Sequence, residues 1–335
     1  MARGSMKKAD FPKLVAAASE NAAFVAPVDG PSGAEFAVIG PQDDVLFDFG
    51  NTKLPVKRHF FPQSEVLYQY ANDEVRSAPL PEGKTILFGV RPCDVRSLLQ
   101  LDKVFLDEAY VDPYYRERRE NTLVISLACK DPAEPCFCTS VGCGPAAREG
   151  SDAIVFDLGD DLLFEAVSEK GEEFIRSQAE TLSEPEAELV EKAEKAAAEA
   201  EAKLPKIEVE GIAEKLPGIF DSPVWQSIAD RCLSCGICTF VCPTCHCFGI
   251  HDEKADEGGQ RIRVQDGCMF LGFTVEASGH NPRILSGQRM RQRIMHKFRY
   301  TVENFSEIFC VGCGRCISSC PVNIDVRETI AEVMR

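Results

Sequence analysis

Short apolar runs alternate with helical stretches through the first half of the chain. Thr85-Ile-Leu-Phe-Gly-Val90 and Thr122-Leu-Val-Ile-Ser-Leu127 are continuous apolar runs of strand length. That pattern belongs to strands buried on both faces. Ala153–Phe156 and Leu162–Ala166 predict two more strands around the turn Gly159-Asp160-Asp161. Lys13–Ala23 and Val95–Phe105 read as helices, the second with Asp94 at its N-cap position. Val326–Met334 predicts a closing helix. Glu184–Lys203 is almost wholly Ala, Glu, Lys and Leu, a strong helix-forming composition with few large apolar side chains. It therefore reads as a solvated helix or helical linker, continued by the Pro-containing stretch Pro205 to Pro223. The expected fold class is α+β. A mixed α/β domain spans 9–183, a linker 184–223, and a mostly α-helical domain 224–335 with a long insertion at 244–309. Residues 1–8 are set aside as a vector-derived leader ahead of a native start at Met6.

Composition narrows the classes. The chain has 335 residues, 44% of them hydrophobic, as in an ordinary globular protein. No apolar run approaches the roughly 20 residues a membrane-spanning helix needs, so no membrane insertion is expected. A net charge of −16 argues against nucleic acid and anionic membranes as partners. Sixteen cysteines without an apolar signal region point to a reducing cytoplasm and to metal binding rather than disulfides.

Half of those cysteines fall in two equivalent runs. Cys232-Leu-Ser-Cys235-Gly-Ile-Cys238-Thr-Phe-Val-Cys242-Pro243 and Cys310-Val-Gly-Cys313-Gly-Arg-Cys316-Ile-Ser-Ser-Cys320-Pro321 both have the spacing C-x2-C-x2-C-x3-C-P. This is the bacterial ferredoxin spacing for [4Fe–4S] ligation, in which the fourth cysteine serves the other cluster. Cys232, Cys235, Cys238 and Cys320 are thus expected to hold one cluster. Cys242, Cys310, Cys313 and Cys316 are expected to hold the second. Gly236 and Gly314 let the backbone curl close to the cluster without a Cβ in the way. A zinc module would use two C-x2-C pairs instead.

Four other cysteines admit two readings. Cys93 and Cys129 each follow an apolar strand run, and Cys136 and Cys138 lie in the loop after the second. Residues just past adjacent strand ends converge at one sheet edge, so these four thiols could together form a further cluster site. They could equally be inert buried thiols, since free cysteine packs as a small hydrophobe. Cys143, Cys245, Cys247 and Cys268 receive no role from spacing. Cys242-Pro-Thr-Cys245-His246 matches the c-type haem attachment motif, but Cys242 belongs to a cluster and haem attachment demands export. Gly142-Cys-Gly144-Pro-Ala-Ala147 lacks the preceding strand that a dinucleotide loop requires. A basic island, Arg283, Arg289, Arg291, Arg293, His296, Lys297 and Arg299, stands out in so acidic a chain. It is either a solvated helix face or a docking or cluster-compensating group. No Walker loop, nucleophile elbow or H-E-x-x-H motif is present, and no catalytic residue is evident.

Motifs in one order then carry a resemblance. They are Gly89-Val-Arg-Pro-Cys93-Asp94, Cys136-Phe-Cys138, the Cys232 run with Cys245-His-Cys247, Asp266-Gly-Cys268-Met, Gly279-His280-Asn281-Pro-Arg283, Arg289-Met-Arg291-Gln-Arg293-Ile-Met-His296-Lys297, and the Cys310 run. With these the chain resembles a family of iron–sulfur electron-transfer subunits. The family serves sulfhydrogenase (as its beta subunit), anaerobic sulfite reductase and heterodisulfide reductase-associated flavin oxidoreductase. The resemblance covers most of the chain from about Leu87 onward. It implies two [4Fe–4S] clusters and favours a third at Cys93, Cys129, Cys136 and Cys138. It further implies FAD on a partner subunit that takes hydride from NAD(P)H, and a terminal partner that is a hydrogenase, a sulfite reductase or heterodisulfide reductase-like. The expected role is a relay of single electrons within a cytoplasmic, multisubunit oxidoreductase of anaerobic metabolism, not catalytic on its own. The alternatives are a structural metal-cluster scaffold and a self-sufficient reductase.

Overall fold

The computed structural model describes residues 2–72, 74–255 and 257–335. Among them the strands are β1 (Arg3–Lys7), β2 (Ala23–Gly30), β3 (Gly33–Val38), β4 (Ser64–Ala71), β5 (Glu74–Ser77), β6 (Thr85–Val90), β7 (Thr122–Leu127), β8 (Ala153–Asp157), β9 (Asp161–Ala166), β10 (Phe248–Ala255) and β11 (Gly258–Gln265). The chain divides into two compact units. One comprises Met1–Val56, Glu82–Lys206 and Val311–Gly314; the other comprises Lys57–Pro81, Ile207–Cys310 and Arg315–Arg335.

The first unit is built on one mixed sheet with strand order β1-β9-β8-β7-β6-β2-β3. Its centre, β2-β6-β7-β8, is parallel, and antiparallel strands flank it on either side. Both faces of the central strands are covered. Ile86, Phe88, Ile125 and Leu127 join a core with Phe11, Leu14 and Val15 of helix α1 (Phe11–Ala18). Alternate residues Leu87 and Val124 are also fully buried. This two-sided burial is why both strands are unbroken apolar runs. Between β6 and β7 the chain crosses over through helix α2 (Pro92–Phe105), which packs against β7. Helix α2 begins earlier than Asp94. Arg91 is its extended N-cap and Pro92 occupies the first turn, where a missing N–H costs nothing.

Two stretches carry more structure than their sequence announces. Arg3–Lys7, within the residues set aside as a leader, pairs antiparallel along β9 and buries Met6. An edge strand is held largely by main-chain bonds, so its side chains announce little. The alanine-rich segment, read as a solvated helix or helical linker, is helical and mostly exposed, with a thin buried stripe. It forms helix α3 (Ala187–Ala202) in the first unit, with Ala193 and Ala200 fully buried. Ala193 joins Ile154, Phe156, Leu158 and Leu163, and Leu189, Val190, Ala196 and Ala197 pack beside it. Small side chains let the helix lie close to the sheet, so its buried stripe needs few large residues.

The second unit combines helices with an antiparallel sheet of order β10-β11-β4-β5. Two of those strands, β10 and β11, fall in the stretch expected to be mostly helical. Both hairpins of that sheet lie outside the elements read from the sequence, although Glu257-Gly258-Gly259 is a turn signal between β10 and β11. Arg263 of β11 and Glu65 of β4 form a buried ion pair across the sheet. A long helical rod follows: helix α4 (Ser286–Met295), a π-helical turn over His296–Tyr300, and helix α5 (Thr301–Phe305). Helix α6 (Val326–Met334) closes the chain, capped by the Asp325 side chain.

Candidate metal centres

In the second unit Cys232, Cys235, Cys238 and Cys320 border one cavity of about 610 Å³, counting its mouth. Three of them come from one loop and Cys320 from a segment far along the chain, as the crossed ferredoxin pattern requires. Gly236 stands at φ 70° and Gly314 at φ 72°. A Cβ on Gly236 would sit 2.1 Å from the Phe270 ring, and one on Gly314 would sit 2.8 Å from Pro135 backbone. Both positions thus combine left-handed backbone with close approach. Apolar Met269, Met290, Ile294 and Ile324 complete the wall. Cys316, expected in the second set, borders this cavity as well.

Cys242 is buried and sits beside Lys297. The Lys297 ammonium donates to Cys242 Sγ at 3.1 Å, Thr244 Oγ1 at 2.6 Å and the Phe309 carbonyl at 2.9 Å. A hydrogen bond shared with Cys245 lowers Cys242 well below an ordinary thiol and raises Cys245; Lys297 and Arg293 reinforce the Cys242 thiolate. Burial works against the charge of Lys297, but the neighbouring Cys242 and Cys245 thiols outweigh it and hold the ammonium protonated. Cys310 follows Phe309 directly in this unit. Cys313 lies in the segment Val311–Gly314, which belongs to the first unit.

The basic island is partly interior. Arg289, Arg293 and Lys297 are buried and recur every fourth residue, so they form one stripe along the rod. Arg289 donates to the carbonyls of Arg283 and Ile284, and Arg293 Nη1 lies 3.6 Å from Cys245 Sγ. Arg291 turns aside to stack over Phe220 and bond its carbonyl. Lys57, which carried no sequence signal, is 1% exposed and donates to the Cys245 carbonyl at 2.7 Å.

In the first unit Cys93, Cys129, Cys136 and Cys138 border a cavity of about 370 Å³, counting its mouth, together with Cys313. Topology explains the convergence. β6 and β7 are parallel neighbours with Val90 beside Ser126, so Cys93 and Cys129 emerge at the same sheet edge. The Cys136–Cys138 loop folds back there, anchored by the Phe137 N–H donating to the Gly312 carbonyl at 2.8 Å. Arg91 braces the same corner. It donates to the carbonyls of Gly50 at 3.0 Å, Ala128 at 3.1 Å, Leu127 at 3.3 Å and Phe49, and lies over the Phe49 ring. Asn51 Nδ2 reaches the Cys313 carbonyl at 2.8 Å and Cys136 Sγ at 3.8 Å. Neither Arg91 nor Asn51 is conspicuous as a ligand-site residue in the sequence. Burial pushes Cys143, outside the cavity wall, up to about 11, and its thiol points to the Gly144 carbonyl.

The donor sets fit iron–sulfur clusters better than single ions. Among the described residues no three His, Cys, Asp or Glu side chains converge as one metal ion demands. The thiols instead ring open space, which a multi-iron cluster would fill. Soft thiolates in number are the ligands such clusters take. Among the described residues no helix is long and apolar enough to cross a membrane.

Comparison with known proteins agrees. The family described as the 4Fe-4S dicluster domain matches residues 231–324. Over 326 residues the chain is 34% identical to Sulfhydrogenase 2 subunit beta of Pyrococcus furiosus, covering 96% of each protein. No solved structure matches this chain.

Proposed function

From the premise that this chain belongs to the sulfhydrogenase beta-subunit family, we propose that it relays single electrons through two dicluster [4Fe–4S] clusters and a third at Cys93, Cys129, Cys136 and Cys138. Its neighbours in the relay are a subunit carrying FAD, which draws hydride from NAD(P)H, and a terminal redox subunit. The observation that carries the reading is the single cavity bordered by Cys232, Cys235, Cys238 and Cys320. The four cysteines bordering the first-unit cavity support the third site.

When bound, such clusters accept and return one electron at a time. The chain's own residues supply the setting. Cysteine thiolates hold the iron. Apolar walls exclude water, and buried Arg293 and Lys297 offset negative charge that would otherwise disfavour reduction. Arg91 and Asn51 fix the loops that present the first-unit thiols.

The test is anaerobic purification with iron and acid-labile sulfide counts, and EPR of the dithionite-reduced protein. The reading expects about twelve irons from the three sites together. A redox-silent metal that never bleaches would favour a structural scaffold, and a folded protein holding zinc in place of iron would overturn the relay.

A further inference from the structure

Cys245, Cys247 and Cys268 are left over by both ferredoxin runs and by the first-unit set. They nevertheless border one further pocket of the second unit together with His246. We infer that this pocket is an additional iron–sulfur site, with Cys245, Cys247 and Cys268 as thiolate ligands and His246 as the fourth. The inference rests on the relay reading above.

The hairpin in the insertion creates the convergence. β10 and β11 pair from Phe248 opposite Gln265 to Ala255 opposite Gly258. The residues just outside the open end are Cys247 on one side and Asp266-Gly-Cys268 on the other. The Asp266 N–H donates to the Cys247 carbonyl at 3.0 Å, which continues the ladder and sets the two cysteine-bearing ends together. The chain at Gly267 is pressed close to its surroundings: a Cβ there would lie 2.6 Å from Thr239 Oγ1. Cys245 and His246 enter from the segment immediately before the hairpin.

His246 is set up as a ligand. Its Nδ1 lies 3.0 Å from the Thr244 carbonyl. A carbonyl only accepts, so Nδ1 carries the proton and the neutral ring keeps its lone pair on Nε2. Metal-bound histidines are oriented in this way, with the other ring N–H held by a backbone carbonyl.

Charge around the pocket points to an anionic occupant. Arg293 and Lys297 both border it, and Arg293 Nη1 is 3.6 Å from Cys245 Sγ. Lys57 holds the Cys245 carbonyl from a fully buried position. Lys297 answers Cys242 of the second dicluster set; Arg293 and Lys57 reach Cys245 itself, and a metal-bound thiolate there gives a reason to bury cations beside it. Three cysteines and a histidine also occur in zinc sites. The described side chains, however, do not converge as one ion demands; they stand around the pocket, as the ligands of a multi-iron cluster do.

The experiment uses the full chain, purified without oxygen. Wild type is compared with Cys268→Ala, with the triple variant C245S/C247S/C268S, and with C93S/C136S. Iron, zinc and labile sulfide are counted, and EPR is recorded after dithionite reduction. The inference expects Cys268→Ala and the triple variant each to lose about four irons and four sulfides. C93S/C136S should lose a separate complement, and the dicluster EPR signals should persist in all. Cys268→Ala keeps the test open should the triple variant not fold. Iron and sulfide unchanged in both variants, or a loss of zinc instead, would overturn the inference. Either outcome leaves the relay standing if wild type still bleaches with dithionite; a wild type that does not bleach would remove the relay itself.

Discussion

Lys297→Met removes a buried charge while roughly keeping side-chain length. In the structure the ammonium sits 3.1 Å from Cys242 Sγ and also bonds Thr244 and Phe309. At an effective dielectric near 20, two unit charges at that separation attract by about 5 kcal/mol. An electron added to a cluster bound through Cys242 spreads beyond that sulfur, so this value is a ceiling. Converted at about 59 mV per tenfold for one electron, the ceiling is roughly 230 mV. A fall in midpoint potential on the order of 100 mV is therefore expected for one cluster, since reduction adds negative charge that Lys297 no longer offsets. EPR-monitored redox titration of the anaerobic protein reads it directly. Lys297→Arg keeps the charge and should shift the potential far less, while Thr244→Ala removes one hydrogen bond and leaves the charge in place. Equal potentials for wild type and Lys297→Met, at unchanged iron content, would refute the compensating role of this stripe.

Two further outcomes follow from the site geometry. Cys320→Ser should remove about four irons belonging to the Cys232, Cys235 and Cys238 set and spare the Cys310 set, because Cys320 borders the Cys232 cavity; selective loss of the other EPR signal would refute the crossed ligation. Arg91→Met withdraws charged donors from the carbonyls of Gly50, Phe49, Leu127 and Ala128, which should lower stability by about 3 kcal/mol or more, seen as an earlier thermal transition by circular dichroism; iron of the first-unit cavity should be lost while the dicluster signals remain, and a variant with full iron and unchanged melting would contradict the bracing role.

What could be read from the sequence divides along physical lines. β6 and β7 were legible because strands buried on both faces are apolar at most positions, and their ends match the runs residue for residue. The ferredoxin runs were legible because a cluster fixes its ligand spacing locally. Elements whose stability comes from elsewhere were not legible. β1 is a main-chain addition to β9, and β4 buries one side chain and β10 none, so neither offers a clean alternation. Helix α3 was visible as a helix but not as a packed one, because alanines bury little area each and give no large apolar stripe.

The basic stripe shows where pattern alone stops. Arg289, Arg293 and Lys297 recur every fourth residue, and that spacing places them on one face whatever surrounds it. A solvated face and a buried one have the same spacing; only the environment separates them. Thr244 and the Phe309 carbonyl, far from Lys297 along the chain or beyond the rod's end, complete its coordination. Cys242 then supplies the opposite charge that makes burying an ammonium tolerable. Because the cation and the thiolate each need the other to be buried, losing either should cost more than losing both. The double variant Lys297→Met with Cys242→Ser is therefore expected to retain more folded protein than the sum of the two single losses allows, measured as soluble yield and thermal transition. Strict additivity would mean that the two groups do not sense each other.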